Sequence, residues 1–305
     1  MRVPITLFLA LLLAIPAKAS DRYEGPIIDM HQHAQAEVWS DRRYCFPQPC
    51  EAGPTEAKPG DDMRQRTLDA MARNNIVLAV ISSPTDAVLP WVSGHEDQYL
   101  TGILLETAND VSIDEMRDLF ESGQASVLGE ITAQYAGVPI DDPSLDPYFA
   151  LAHELDLPIL VHVNGLGGSP DFPTHLGNPQ RIVPVLRKYP GLRIYFENAS
   201  WPFLDEMTSV MYQYPNVYVD ISTILHLTPQ NQALAYLKAL IDRGLGPRIM
   251  YGSDQMIWSE VIDETVEAIQ SADFLNAEQK ADIFYNNAAR FLRLSDDRIA
   301  EHQAR

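Results

Sequence analysis

Two histidines spaced two residues apart, His31 and His33, are the strongest chemical feature of this 305-residue sequence. They close a short apolar stretch, and an extended chain sends such alternate side chains to the same face. Two converging imidazoles can hold one metal ion, which a lone histidine does poorly. Other metal-ligand types are spread along the chain. His162 ends the apolar run Ile159-Leu160-Val161, Asp254 ends Tyr251-Gly252-Ser253, and Glu130 lies on one alternation with Leu128 and Thr132. Each has an ordinary explanation by itself: a satisfied core histidine, a helix cap, an internal ion pair. Together they are harder to dismiss, because every one falls at the C-terminal end of an expected strand.

The elements that must position them alternate regularly. Strands are expected at Pro26–Met30, Ile76–Ser82, Tyr99–Leu105, Ser126–Thr132, Pro158–Asn164, Leu192–Asn198, Val217–Thr223 and Arg248–Asp254. Amphipathic helical sequence follows each, as near Asp62–Asn74, Ser112–Ser122 and Phe203–Tyr214. Ser112 with Glu115 three residues on is a capping-box pattern. Eight strands each followed by helical sequence predict an α/β fold, a single (β/α)8 barrel. A doubly wound open sheet would normally carry a glycine-rich first turn, and here that turn reads Met30-His31-Gln32-His33-Ala34. In a parallel barrel, reactive groups come from the C-terminal strand ends, where these ligands stand.

The first residues read as an export signal rather than fold: Arg2, an uncharged apolar run from Ile5 to Ile15, then Ala17-Lys18-Ala19. Residues 1–19 are therefore expected to be a signal peptide, and 20–305 one catalytic domain in the periplasm or outside the cell. A retained membrane anchor is the rival; the run is short for a span, and no later stretch is long and apolar enough. Lys and Arg total 22 against 42 Asp and Glu, a net charge of −20. Removing Arg2 and Lys18 brings this near −22. Such a field repels nucleic acid and anionic lipid and mainly favours solubility; it says little about the substrate, and a homo-oligomer stays open. Cys45 and Cys50, the only cysteines, lie in a Pro-rich loop and are read as a local disulfide rather than a metal site. The insert from Glu37 to Gly60 around them is a candidate lid or specificity loop.

The motifs Ile28-Asp29-Met30-His31-Gln32-His33, Gly129-Glu130-Ile131, Val161-His162, Tyr251-Gly252-Ser253-Asp254 and Asn286-Asn287-Ala288-Ala289-Arg290, in this order, resemble the amidohydrolase superfamily. More narrowly, they resemble its amidohydrolase-related branch of barrel hydrolases and decarboxylases. The resemblance implies that His31, His33, His162 and Asp254 bind zinc or a similar divalent ion, with Glu130 beside them. It also implies that Asp254 helps take the proton from an activated water. A bound metal brings water's pKa to about 7 and polarises the scissile carbonyl, and a carboxylate can then relay the proton to the leaving group.

At strand six the pattern departs. The branch usually has a histidine there, followed by Ala-Gly and an aromatic-Pro pair. This chain has Glu197-Asn198-Ala199-Ser200-Trp201-Pro202, with Asn198 in the histidine's place. An amide oxygen is a poor zinc ligand beside imidazole. One ion per chain is therefore expected, with Asn198 hydrogen-bonding substrate or water. His226 follows strand seven and is read as a substrate contact or proton carrier. Asp220 points inward on its strand and could orient a ligand. Trp201 and Trp258 could wall a pocket, and Arg42 or Arg43 could clamp a substrate carboxylate. His95, His153, His175 and His302 are assigned no chemistry. The expected function is metal-dependent hydrolysis of an amide, ester or lactone bond in a small molecule. Its rivals are a non-oxidative decarboxylase and a non-catalytic metal- or solute-binding relative.

Overall fold

A computed structural model describes residues 22–34, 60–167, 171–256 and 259–305. The expected signal segment, Arg42, Arg43, Cys45, Cys50, the insert from Glu37 and Trp258 lie outside the described residues.

The β-branched runs form eight strands: β1 (Ile27–Gln32), β2 (Ile76–Ser83), β3 (Tyr99–Leu105), β4 (Val127–Ile131), β5 (Pro158–Val161), β6 (Arg193–Phe196), β7 (Val217–Ile221) and β8 (Ile249–Tyr251). They pair in sequence order, each parallel to the next. Between and after them run α1 (Gly60–Arg73), α2 (Thr85–Val92), α3 (Ile113–Glu121), α4 (Asp146–Glu154), α5 (Val183–Lys188), α6 (Leu204–Gln213), α7 (Ile224–Leu227), α8 (Gln230–Asp242), α9 (Glu260–Gln270), α10 (Ala277–Ala281), α11 (Asn287–Leu292) and α12 (Asp296–Gln303). This is the (β/α)8 barrel that the alternation predicts.

Strands buried on both faces read as continuous apolar runs, and all eight residues of β2 are buried. The barrel interior holds Ile28, Met30, Leu78, Val80, Leu160, Tyr195 and Met250, continuous with Tyr285, Ala288 and Phe291 of the C-terminal helices. Tyr195 is fully buried, so its hydroxyl needs a partner; it donates to Met30 O at 2.9 Å. Outside the strands, helices lay apolar stripes on the barrel. In α9, Val261, Ile262, Thr265, Val266, Ala268 and Ile269 are buried, each aliphatic contributing roughly 1.5–3 kcal/mol. Ser112 Oγ accepts from Glu115 N to start α3, as the capping pattern predicts.

Closure between β1 and β8 is achieved mostly by side chains. One parallel bridge joins Gln32 to Gln255, with His33 N donating to Gln255 O and Asp254 N to His31 O. Asp29, fully buried, accepts from His31 N, Gln32 Nε2, Ser253 N and Ser253 Oγ at 2.6–3.1 Å. Gly252 permits the approach, since a Cβ there would lie 3.0 Å from His31 Cβ.

Five expected strands stop short: β4 by one residue, β6 and β7 by two, β5 and β8 by three. β5 thus ends before His162, β6 before Glu197 and β8 before Asp254. The helix expected over Ala277–Leu292 is interrupted by a π-helical turn at Asp282–Asn286. A last helix, α12, was not expected; Ser295 caps it.

Candidate active site

The ligand-type residues converge at the C-terminal mouth of the barrel. His31 Nε2 lies 3.1 Å from His33 Nε2, and the β1–β2 register shifts between Asp29 and Gln32. That irregularity accompanies an interior position for Met30 while neighbouring His31 reaches inner carboxylates. His33 Nδ1 faces Ser82 O at 2.8 Å, and His31 Nδ1 faces Asp220 Oδ2 at 3.2 Å. Each imidazole is thus oriented by an acceptor behind it while its Nε2 points into the site.

Glu130 stands between the strands. Its Oε2 lies 3.4 Å from His33 Nε2 and 3.6 Å from His31 Nε2, and its Oε1 lies 3.0 Å from His162 Nδ1. Gly129 makes this possible: its φ is +110°, and a Cβ there would sit 2.4 Å from Leu160 O. Asp254, in the left-handed region at φ 51°, brings Oδ1 to 3.2 Å from His33 Nε2 and 3.7 Å from His31 Nε2. Its Oδ2 accepts a short hydrogen bond from Thr223 Oγ1. So His31, His33, Glu130, His162 and Asp254 are brought together, all buried.

Glu197 is the residue that sequence reasoning missed. Asn198, Ala199 and Ser200 all have positive φ, 53°, 47° and 54°, a left-handed turn that aims Glu197 at His162. The turn is held from several sides: Asn198 N donates to Asp220 Oδ1, Asn198 Oδ1 accepts from Ile224 N, and Ala199 O accepts from Tyr236 Oη. Glu197 Oε2 is in direct ion-pair contact with His162 Nδ1, and Oε1 accepts from Asn198 Nδ2 at 2.7 Å. A signal was present in the sequence, since Glu197 shares its alternation with Tyr195, whereas Asn198 shares its with apolar Ile194 and Phe196.

Asn198 is fully buried, and the contacts just described engage both ends of its amide. His226 sits in α7 with its ring nitrogens out of solvent; burial, offset only partly by Asp254, pushes it down to about 4. Asp220 is fully buried behind His31. Trp201 packs against the outer core. Tyr135 and Phe172 add an aromatic wall, with ring centres 4.6 and 6.0 Å from that of His162.

The electrostatics are those of a cation site. Burial alone would lower His31, but Asp254, Asp220 and Glu130 hold it well above the usual histidine range. Burial would likewise lower His162, yet Glu197 and Glu130 push it up to about 10. Glu130 and Asp254 resist the upward push of burial and stay below the ordinary carboxylate range, held there chiefly by His162 and His31 for Glu130 and by His31 and His33 for Asp254. Glu197 goes the other way: burial and the Glu130 charge raise it to about 8 against the pull of His162. Among the described residues, the ion-pair partners of Glu130, Glu197, Asp220 and Asp254 are all histidines. Asp254 Oδ1 and Glu197 Oε2 are buried, and their ion-pair partners among the described residues are imidazole nitrogens. Buried carboxylate oxygens beside imidazole nitrogens fit a divalent cation. Two groups have donor atoms within 4.8 Å of one another: His31, His33 and Glu130, and Glu130, His162 and Glu197.

A family model for amidohydrolases matches residues 28–294, which includes every one of these groups. The chain belongs to the amidohydrolase family. No curated protein matches its sequence. Solved structures of the same fold include an uncharacterised TIM-barrel protein of Bordetella bronchiseptica, 19% identical, with a TM-score of 0.63 over 88% of this chain and 98% of the other. A probable 2-pyrone-4,6-dicarboxylic acid hydrolase of Acinetobacter baumannii with citric acid bound is 13% identical, at 0.61 over 88% and 99%. A 5-carboxyvanillate decarboxylase of Sphingomonas paucimobilis is 14% identical, at 0.59 over 88% and 99%. At these identities the likeness establishes the fold, and it spans both hydrolases and decarboxylases. An amidohydrolase-family barrel with a cluster suited to a divalent metal is what sequence and geometry share.

Proposed function

We propose that this amidohydrolase-family chain is a hydrolase that opens an amide, ester or lactone bond of a small molecule with water, using zinc or a similar divalent ion. The observation that carries this reading is Asp254. It is buried and held ionised, Thr223 occupies its Oδ2, and its Oδ1 faces the imidazoles of His31 and His33. His31 and His33, with Asp254, His162 and Glu130, would hold the ion. When bound, the ion supplies a Lewis acid that acidifies water and polarises a carbonyl.

The chain's own groups do the rest. Asp254 Oδ1 accepts the proton as water adds to the carbonyl and returns it to the leaving nitrogen or oxygen. Asp220 and Ser82 O fix the two imidazoles from behind. Tyr135 and Phe172 offer an apolar face beside His162 for the substrate body. His226, with a depressed pKa, stays neutral at pH 7 and can donate or accept a hydrogen bond as substrate enters. The leader-like residues 1–19 support action in the periplasm or outside the cell.

A non-oxidative decarboxylase is the rival reading. It would need a cation to seat the substrate carboxylate, a role the sequence offers to Arg42 or Arg43 outside the described residues. The test is turnover by zinc-loaded protein on a panel of esters, lactones and amides, with carbon dioxide release followed on carboxylated aromatics. Hydrolysis that falls about 10²–10⁴-fold in Asp254→Asn is the expected result. Carbon dioxide release without any hydrolysis would replace the reading with decarboxylation. Bound metal with no turnover on either panel would make this a binding protein.

A further inference from the structure

The site divides into two compartments that share one carboxylate. Glu130 Oε2 faces His31 and His33, and beyond them Asp254 Oδ1. Glu130 Oε1 faces the other way, toward His162 Nδ1. There it is joined by Glu197 Oε2, which is buried and in direct ion-pair contact with the same nitrogen. His162 Nδ1, a carboxylate oxygen of Glu130 and one of Glu197 lie within 4.8 Å of one another, a spacing that one cation could span.

The partners of Glu197 point the same way. Its carboxylate is buried and, among the described residues, its ion-pair partner is His162, with no Lys or Arg beside it. The protein also maintains an unfavourable backbone to aim Glu197. Asparagine tolerates the left-handed region, but Ala and Ser cost roughly 1–2 kcal/mol each there, and Asn198, Ala199 and Ser200 all adopt it. Asp220, Ile224 and Tyr236 hold the turn against that cost.

We propose that Glu197 is a metal ligand and that, with His162 Nδ1 and Glu130 Oε1, it forms a second divalent-cation site bridged to the first through Glu130. This rests on the first compartment binding an ion as argued above, moves His162 from that ion to the second, and departs from the single ion expected of Asn198. Asn198 does not coordinate; its amide holds the turn and steadies Glu197. Two carboxylates with one imidazole form a harder donor set than the first compartment and accept Mn²⁺ as well as Zn²⁺.

The test counts ions and reads their coupling without using activity. Purified protein stripped with chelator is reloaded with Mn²⁺ alone, desalted, and examined by elemental analysis and electron paramagnetic resonance. About two Mn²⁺ per chain with an exchange-coupled spectrum are expected for the wild type, since the shared carboxylate joins the ions. Glu197→Gln, which keeps shape and loses charge, should retain about one ion with an uncoupled six-line spectrum. Glu197→His should restore the second ion. A wild type that saturates at one uncoupled ion would overturn the second site and leave the first intact. Two coupled ions in Glu197→Gln would overturn Glu197 as a ligand. No bound ion at all would overturn the metal reading of both compartments. The wild-type result needs no variant to fold, and circular dichroism checks the variants.

Discussion

Replacing Asp220 with Asn tests whether the residues behind the ligands matter as the geometry requires. In the ligating tautomer His31 presents Nε2 to the site and keeps a proton on Nδ1. That proton points at Asp220 Oδ2, 3.2 Å away, in a fully buried setting. The other oxygen, Oδ1, is already taken by Ser222 Oγ at 2.7 Å and Asn198 N at 3.0 Å. An asparagine that keeps those two bonds must turn its NH₂ group toward His31, setting donor against donor. The imidazole then shifts its proton to Nε2, where it opposes a cation, or rotates away. A hydrogen bond to a charged group contributes about 1.5–3 kcal/mol, so metal affinity should fall about 10- to 150-fold. Outer-shell partners of metal-ligating histidines show a similar range. If the amide flips instead, affinity is spared, but Ser222 and Asn198 N lose their acceptor and the loss appears as lower stability. Zinc affinity by chelator competition, with thermal melting of the zinc-free protein, covers both cases. Affinity within twofold of wild type together with an unchanged melt would refute the reasoning.

Two further outcomes concern the scaffold. Asp29→Ala strands four donors at the β1–β8 seam and should cost about 3–5 kcal/mol in denaturant unfolding; a loss under about 1 kcal/mol would mean the seam is held by something else. His302, the buried residue of α12, has Tyr285 Oη 3.0 Å from its Nδ1. Burial, with the Arg298 and Arg305 charges, lowers it below its ordinary value. The unfolded chain therefore takes up the proton first as pH falls. Stability associated with His302 is complete above about pH 6.5 and declines below it. The drop in melting temperature between pH 7.5 and 5 should be smaller in His302→Gln, and an equal drop would contradict this.

Much of the chemistry was legible in the residues alone. His31, His33, Glu130, His162 and Asp254 announce themselves because apolar alternation marks strands, and in a parallel barrel strand ends converge. Ser112 announces the start of α3 because a cap is a local event, settled within one turn of chain. Strand six was read less well. Asn198 occupies the position expected for a ligand, yet the turn at 198–200 buries its amide in protein contacts and delivers Glu197 to His162 instead. That turn is left-handed, which nothing in Asn-Ala-Ser demands. Its sign is set by Asp220, Ile224 and Tyr236, from strands and helices brought alongside only when the barrel closes. Spacing along the chain determines which residues reach the mouth of the barrel. Which atom of each faces the centre of the cluster depends on hydrogen bonds from distant segments, and these exist only in the folded protein.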